Sequence, residues 1–191
     1  MTGFSFGHAS GADWREAANR CLTALGQIPE TGNLGILYVT DVLAEQMGEV
    51  LDLFRASTGV THWVGTVGMG ICATGVEYYE QPAVVAMAGE FPDDSFRVFP
   101  SILKDLDDFT RRNGDWMETH QPFFGLVHAD PSNPLTEALV KQLAARPVSG
   151  FLVGGLASSR DGVNLYADEL TQGGVTGVFF SQEVGVVTRL S

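Results

Sequence analysis

The sequence predicts an α/β protein made of two similar β-α-β halves, whose mixed sheets are covered by helices. Short apolar stretches, typical of strands buried on both faces, alternate with stretches whose apolar residues repeat at the helical period. The two parts of the chain also match in order and spacing. LGILYVTD (34–41) and FFGLVHAD (123–130) both end in aspartate, and a Val-Gly pair begins 23 positions after each aspartate. We therefore expect one domain over 1–191 with pseudo-repeats of about 1–100 and 101–191.

Two arrangements of these strands fit the pattern. Fully apolar strands with few helices favour two sheets packed face to face with helices outside, a four-layer αββα sandwich. One continuous mixed sheet is the alternative. In either case right-handed crossovers would make the two strands joined by each helix parallel, with the helix on one face of the sheet.

The first half contains two predicted helices and four predicted strands. The apolar residues of 13–25 lie on one helical face; Ser10 with Asp13 resembles a capping box, and Gly26 is a suitable terminator. A second helix buries Leu43, Met47, Val50, Leu51 and Phe54 and ends at Gly59. The predicted strands are 34–39, 62–67, 83–88 and 96–99.

The second half contains two more predicted helices and the remaining strands. Ser101 can cap a helix whose inward residues include Ile102, Leu106 and Phe109, and another helix begins at Pro134 and ends before Pro147. The predicted strands are 123–130, 151–155, 163–167, 176–181 and 184–190. In all we expect about ten strands and four helices.

The composition excludes several functional classes. The chain has 191 residues, 45% of them hydrophobic, and 23 acidic against 11 basic side chains give a net charge of −12. Such a charge repels phosphate backbones and anionic lipids, so binding to nucleic acid or to a membrane surface is not expected. Two cysteines do not form a disulfide framework, the uncharged stretch 56–76 is too rich in Gly and Thr for a membrane span, and no signal peptide is recognisable. We expect a cytoplasmic protein.

Two stretches of small residues, GTVGMG (65–70) and GGLASS (154–159), are the main candidate for a binding site. The first resembles a dinucleotide fingerprint, but no helix follows its glycines to direct an N-terminus at a phosphate. Two interpretations stay open: a tight turn or bulge where backbones pack closely, and a ligand cleft in which glycine N–H groups face a small anion or carboxylate. The candidate ligand-binding residues are Gly65, Thr66, Gly68, Gly70, Cys72, Glu77, Gly154, Gly155, Ser158, Ser159 and Arg160.

Polar side chains beside these stretches suggest how a ligand would be held. Glu77 could orient an amine, and Arg160 with the preceding serines could hold a carboxylate, although an ordinary solvated loop is an alternative in both places. Asp41 and Asp130 end buried strands and precede helices. That is where open α/β sheets build their crevices, but it is also a position suited to N-capping, the interpretation we favour.

Cys72 offers a different function. It lies directly after the glycines, where backbone amides could activate it as the nucleophile of a thiol-dependent transferase or hydrolase. The alternative is an inert, small apolar side chain. His8, His62, His120 and His128 lack metal-ligand spacing, so we predict no metal site, no cofactor and no assigned catalytic residue.

Four segments in this order resemble the FIST N domain, a family named for F-box and intracellular signal transduction proteins. They are LGILYVTD (34–41), GVTHWVGTVGMGICATG (59–75), PAVVAMAGEFP (82–92) and FLVGGLASSR (151–160). The resemblance covers nearly the whole chain, and its most specific parts are the Val-Gly-Thr-x-Gly-x-Gly stretch and the later Gly-Gly-Leu-Ala. It implies a sensory or regulatory domain that binds small ligands such as amino acids or their derivatives, and it implies no catalytic residues.

FIST N domains are commonly followed by a FIST C domain or attached to signalling modules, whereas this sequence stops at Ser191. We therefore expect a stand-alone domain whose output is a separate signalling protein, or which has another use. The leading expectation is a small-molecule sensor whose ligand is an amino acid or other small carboxylate, bound between 65–70 and 154–159. A partner-binding module with exposed aromatic residues, for which Trp116 and Phe123 are candidates, is a third possibility.

Overall fold

The apolar stretches of the sequence form the inner strands of two mixed sheets. The computed structural model describes residues 3–160 and 162–187. The first half is made of β1 (Ser5–Ser10), α1 (Trp14–Leu25), β2 (Leu34–Thr40), a 3-10 helix (Asp41–Gln46), α2 (Met47–Thr58), β3 (His62–Gly68), β4 (Gly70–Ala73), β5 (Val76–Tyr79) and β6 (Ala83–Gly89). The second half is made of β7 (Phe96–Ile102), α3 (Asp107–His120), β8 (Phe124–Ala129), α4 (Thr136–Ala144), β9 (Phe151–Leu156), β10 (Leu165–Ala167), β11 (Glu169–Thr171) and β12 (Val175–Phe180).

Four neighbouring strands of the first sheet correspond in order to the four strands of the second sheet. The first sheet runs β1-β6-β2-β3-β10-β11 and the second runs β7-β12-β8-β9. In each, the strands before and after one helix, β2 with β3 and β8 with β9, are parallel, and the pairs on the other side are antiparallel. The strands β4 and β5 pair as a separate hairpin. The predicted α/β class with mixed sheets is confirmed.

Alternation along the strands places the sheets face to face. The inner-facing residues of both sheets, among them Leu34, Val64, Val178 and Phe180, form one central apolar cluster. The outward-facing residues of the first sheet pack with α1 and α2, and those of the second sheet pack with α3 and α4. The result is an αββα sandwich. Along each strand, alternate side chains face the helices and the opposite sheet.

The β4-β5 hairpin covers part of the inner face of the first sheet. Ile71 and Tyr78 of the hairpin pack with Ala83 and Val85 of β6, and Tyr38 of β2 lies against the same cluster. The two strands of the hairpin are not among those that the sequence predicted. Gly75 has φ +78°, which lets the chain reverse between the two strands.

Helix ends follow local chemistry. Asp13 is the N-cap of α1 and accepts a hydrogen bond from Glu16 N at 2.9 Å, while Glu16 Oε2 accepts from Ala12 N at 2.8 Å. The capping box therefore pairs Asp13 with Glu16, and not with Ser10 as the sequence suggested. Gly26 and Gly59 both have φ +71° and terminate α1 and α2, as predicted.

Two predicted elements of the second half are wrong. Ser101 does not cap a helix, because Phe96–Ile102 is a strand that pairs with β12, and α3 begins only at Asp107. The apolar residues there have helical spacing, but hydrogen bonds to β12 hold the segment as a strand. As strand residues, Phe99 and Ile102 pack in the outer core. The predicted strand 184–190 is not formed over 184–187, and 188–190 lie outside the described residues.

Candidate functional site

A cavity of about 310 Å³ lies between the two sheets at one end of the sandwich. The parallel strands β2, β3, β8 and β9 all finish near this end, and crevices at the carboxyl ends of strands are where open α/β sheets bind ligands. The cavity is lined by Tyr38, Thr66, Val67, Gly68, Gly70, Ile71, Cys72, His128, Gly155, Leu156 and Ser158.

Strand register brings these side chains together. Tyr38 and Thr66 are paired positions on β2 and β3, and His128 and Gly155 are paired positions on β8 and β9. The two stretches of small residues also meet, since Met69 N donates to Ser158 Oγ at 3.0 Å and Ser158 N donates to Val67 O at 3.4 Å. Inner-face residues of both sheets therefore line the cavity.

Tyr38 and His128 form the polar end of the cavity. Tyr38 Oη and His128 Nε2 lie 2.9 Å apart, and the two rings meet edge to face with centroids 5.4 Å apart. His128 is only 2% exposed, and its burial lowers its pKa to about 4. Burial also raises the pKa of Tyr38 to about 12. Both side chains are therefore uncharged at neutral pH, because burial penalises the charged form of each.

The second nitrogen of His128 distinguishes this site. His128 Nδ1 is buried and has no hydrogen-bond partner within the described part of the chain. A buried polar atom without a partner costs roughly 1–3 kcal/mol. Five other side-chain atoms of the described residues are also buried without a partner, but none of their residues lines this cavity. A partner supplied by a ligand would remove that cost.

The candidate glycines divide into two kinds. Gly65 and Gly154 lie inside β3 and β9, and a Cβ at either position would overlap the backbone of the neighbouring strand, at Leu37 O and Val127 O respectively. They permit close backbone packing and do not line the cavity. The stretch 65–68 is strand and not turn, which corrects the predicted turn at 65–70.

The glycines that line the cavity differ in the space around them. A Cβ at Gly68 would lie 2.7 Å from Gly70 O, and one at Gly70 would overlap the ring of Tyr79. A Cβ at Gly155 would meet no atom within 4 Å. Since Gly155 is paired with His128 across β8 and β9, an added side chain there would extend into the cavity.

Arg160 is already engaged by carboxylates of the chain. Its Nε and one terminal nitrogen donate to Asp41 Oδ2 at 2.8 Å and Oδ1 at 2.9 Å, and its other terminal nitrogen lies 3.3 Å from Glu80 Oε1. Asp41 is 3% exposed, and the Arg160 guanidinium holds the pKa of that carboxyl below its usual range. Arg160 is not among the residues that line the cavity.

Both predicted helix caps are wrong. Asp41 binds Arg160, and the 3-10 helix that begins there has no side-chain cap. Asp130 Oδ1 accepts from Ser132 N at 2.8 Å and so caps the turn before α4, whereas α4 itself starts after Leu135 without a side-chain cap. In both places the carboxylate binds another donor instead of a helix N–H group: the Arg160 guanidinium for Asp41, and Ser132 N for Asp130.

The remaining candidates lie around the cavity. Cys72 is exposed and lines it, and the Cys72 thiol makes no hydrogen bond to the described residues. Glu77 is exposed on β5, opposite Cys72, and does not line the cavity; Ser159 does not line it either. Trp116, a candidate for an exposed docking residue, is instead buried, and its indole N–H donates to Asp94 O at 2.9 Å, while Phe123 is partly exposed.

The sequence did not single out Tyr38 as a site residue, and it considered His128 only with Asp130. His128 lies two residues before Asp130, and Tyr38 lies three residues before Asp41. The period of two along a strand indicates which residues of the same strand share a face with each of them, but nothing in a single sequence says that these faces of the two sheets meet.

A larger cavity of about 490 Å³ lies between the same sheets, near the start of β8 and the end of β12. Its walls are mainly apolar and include Phe4, Phe91, Phe124 and Phe180, with Glu90 and Glu183 as its acidic residues. We favour the smaller cavity as the functional site because it combines apolar walls with converging polar groups, one of them lacking a partner.

No helix within 3–160 and 162–187 is long and apolar enough to cross a membrane. Over the same residues, no three His, Cys, Asp or Glu side chains are grouped so that they could hold a metal ion.

Comparison with known proteins gave one family and no individual relative. The model of the FIST N domain matches residues 33–191, which is most of the chain and includes every residue that lines the cavity. No curated protein matches this sequence. A match of that extent indicates a sensory domain of signal transduction, and the protein is a member of the FIST N domain family.

Proposed function

We propose that this domain senses a small molecule, which it binds in the cavity between the two sheets. The observation that supports the proposal is His128 Nδ1, a buried nitrogen without a partner among the described residues, on a side chain that lines the cavity. The family points to signal transduction, and the volume of about 310 Å³ is at the lower end of ligand cavities, which are roughly 300–1,000 Å³.

A ligand in this position would contact both sheets. Tyr38 belongs to the first sheet and His128 to the second, and Gly70 to Cys72 come from the hairpin that covers the first sheet. Binding would therefore stabilise the packing of the two sheets and of the hairpin against each other. A ligand that binds only the folded, closed arrangement shifts the population toward that arrangement. A signalling partner that recognises the closed arrangement would then bind the domain more often when the ligand is present.

A thermal-shift screen of the full chain tests the proposal. The panel contains amino acids, small carboxylates and uncharged amides and alcohols, and a ligand is expected to raise the midpoint of unfolding in proportion to the logarithm of its concentration. Gly155→Val fills the cavity from a position where no atom lies within 4 Å, so it should fold and lose the ligand-induced shift.

Gly114→Val is the matched control, because a Cβ at Gly114 in α3 also meets no atom within 4 Å and α3 lies outside the sheets. It should retain the shift. No stabilising ligand at saturating concentration, or shifts that are the same in wild type and Gly155→Val, would contradict the proposal.

A thiol-dependent enzyme has one observation in its favour: Cys72 is exposed and lines the same cavity as His128. A His128 with a pKa of about 4 is a weak general base at neutral pH, however, since efficient bases have a pKa near the working pH. Selective alkylation at neutral pH that disappears in Cys72→Ser would be the signature of this alternative.

A further inference from the structure

The Tyr38–His128 pair has hydrogen-bonding capacity that the described chain does not use. Tyr38 Oη bonds to His128 Nε2 at 2.9 Å and makes no other hydrogen bond to the described residues, and His128 Nδ1 makes none. The pair is well fixed, because His128 is 2% exposed and Tyr38 packs against the cluster of the β4-β5 hairpin.

Both neutral forms of His128 leave hydrogen-bonding groups of the pair without a partner among the described residues. If the tyrosine O–H donates to Nε2, then Nδ1 carries a hydrogen that needs an acceptor. If Nε2–H donates to Tyr38 Oη, then Nδ1 is an acceptor and the tyrosine hydrogen needs a partner. A ligand that offers both an acceptor and a donor can be bound by either form.

The charges around the cavity are unfavourable for an ion. The described residues that line it include no Asp, Glu, Lys or Arg. Arg160, two residues after Ser158, is held by Asp41 and Glu80, so this nearby group has a net charge of −1. A buried anion at Tyr38–His128 would be repelled by this group, and a cation would find an opposite charge only outside the residues that line the cavity, so neither ion recovers there the hydration that it loses.

We infer that the ligand group bound at Tyr38 and His128 is uncharged, and that the site accepts a small apolar body carrying a carboxamide or a similar donor-and-acceptor group. This inference rests on the proposed function and narrows it. It differs from the carboxylate ligand that the sequence predicts. Ile71 and the ring of Tyr38, which belong to the same apolar cluster, supply an apolar wall for the body of such a molecule.

A carboxamide suits the pair better than either of its charged counterparts. Its carbonyl oxygen can accept from Nδ1–H, and its N–H can donate to Nδ1 in the other form. A carboxylate offers acceptors only and an amidinium offers donors only. Each of these would also bring an uncompensated charge beside a buried, neutral imidazole.

Benzamide, benzoate and benzamidinium test this, since they share one shape and carry charges of 0, −1 and +1. Binding to the full chain is measured at neutral pH by titration in two-dimensional NMR. Benzamide is expected to shift resonances of the cavity residues and to bind about ten-fold or more tightly than the two ions, which is the size of effect that one buried hydrogen bond or charge produces.

Tyr38→Phe should weaken benzamide about ten-fold, because the O–H that completes the pair is removed. Tyr79→Phe is the matched control, since Tyr79 is 57% exposed on β5 and its hydroxyl takes no part in the pair. It should bind benzamide as wild type does. Comparing the thermal midpoints of both variants checks that Tyr38→Phe is folded.

Three outcomes would overturn the inference: benzoate or benzamidinium binding as tightly as benzamide, benzamide binding equally well to Tyr38→Phe, or no binding of benzamide. These outcomes do not decide the proposed function. A charged ligand from the wider screen whose effect is lost in Gly155→Val would support that function and refute the inference. If no ligand of any charge stabilises the protein, both fail.

Discussion

At the scale of single residues, the most informative group is His128. An imidazole on an apolar strand is ordinarily a satisfied core residue, and Nε2 fits that description through its bond to Tyr38. Nδ1 is different, because it is buried and has no hydrogen-bond partner among the described residues. Because burial lowers the pKa of His128 from 6.5 to about 4, this residue also links protonation to stability.

His128 predicts a loss of stability in acid. Between about pH 6.5 and pH 4 the unfolded chain binds a proton at His128 that the folded chain does not, so the free energy of unfolding falls as the pH falls through this range. The expected loss is about 3 kcal/mol, since each pKa unit corresponds to about 1.4 kcal/mol. Above about pH 7 this group contributes no pH dependence.

Urea unfolding at several pH values measures this effect in wild type and His128→Asn. The difference between the two proteins isolates His128, because the other titrating groups are common to both. A difference in free energy that does not change between about pH 8 and pH 4 would contradict the assignment of a neutral, buried His128.

At the scale of elements, the paired parallel strands β2-β3 and β8-β9 are held close by a glycine. Gly65 and Gly154 are 89 positions apart in the sequence and occupy equivalent places, each facing a carbonyl oxygen of the neighbouring strand. The sequence pattern Val-Gly therefore marks close strand packing in both sheets. The tight-packing interpretation applies to these two glycines, whereas the ligand-cleft interpretation applies to Gly68, Gly70 and Gly155.

Gly65→Ala should be destabilising. The added Cβ overlaps Leu37 O, and a strand in the middle of a sheet cannot move away without breaking its hydrogen bonds, so a loss of about 1–3 kcal/mol or more in the free energy of unfolding is expected. Gly155→Ala is the control, because the same methyl group meets no atom there. Urea unfolding of both variants decides it; equal stabilities would refute the assigned role of Gly65.

At the scale of the whole molecule, Arg160 connects the two halves. Asp41 follows β2 of the first sheet and Arg160 follows β9 of the second, and the pair joins them by two side-chain hydrogen bonds. The β10-β11 hairpin connects them as well, since it lies between β9 and β12 in the sequence but pairs with β3. Contacts of this kind hold the cavity between the sheets in one shape.

Removing the guanidinium with Arg160→Ala leaves Asp41 buried without its partner. A loss of stability is expected, smaller than for a fully buried ion pair because the Arg160 side chain is 44% exposed and solvent screens it. Arg111→Ala is the control, since its ion pair with Asp108 on α3 is exposed on both sides, and its loss should be the smaller of the two. Thermal or urea unfolding gives both values, and equal losses would show that the link between the halves contributes little.

The sequence by itself determined the class of the fold and most of its inner strands. Runs such as LGILYV and AVVAMA have no charged residue and alternate no polar side chains, so they had to be covered on both sides. It also placed Gly68, Gly70, Cys72, Gly155 and Ser158 near one another, since repeated spacing located both stretches at equivalent strand ends.

Only the tertiary structure decided what is not local. The sequence could not show that β7 continues through Pro100, because its hydrogen bonds come from β12, some 75 residues later. It could not show that Arg160 would find Asp41 instead of a ligand. The pairing of Tyr38 with His128 was equally hidden, because 90 positions separate them and only the face-to-face packing of the two sheets brings them to 2.9 Å. The period of two says which side of a strand a residue faces, whereas the site depends on what lies opposite.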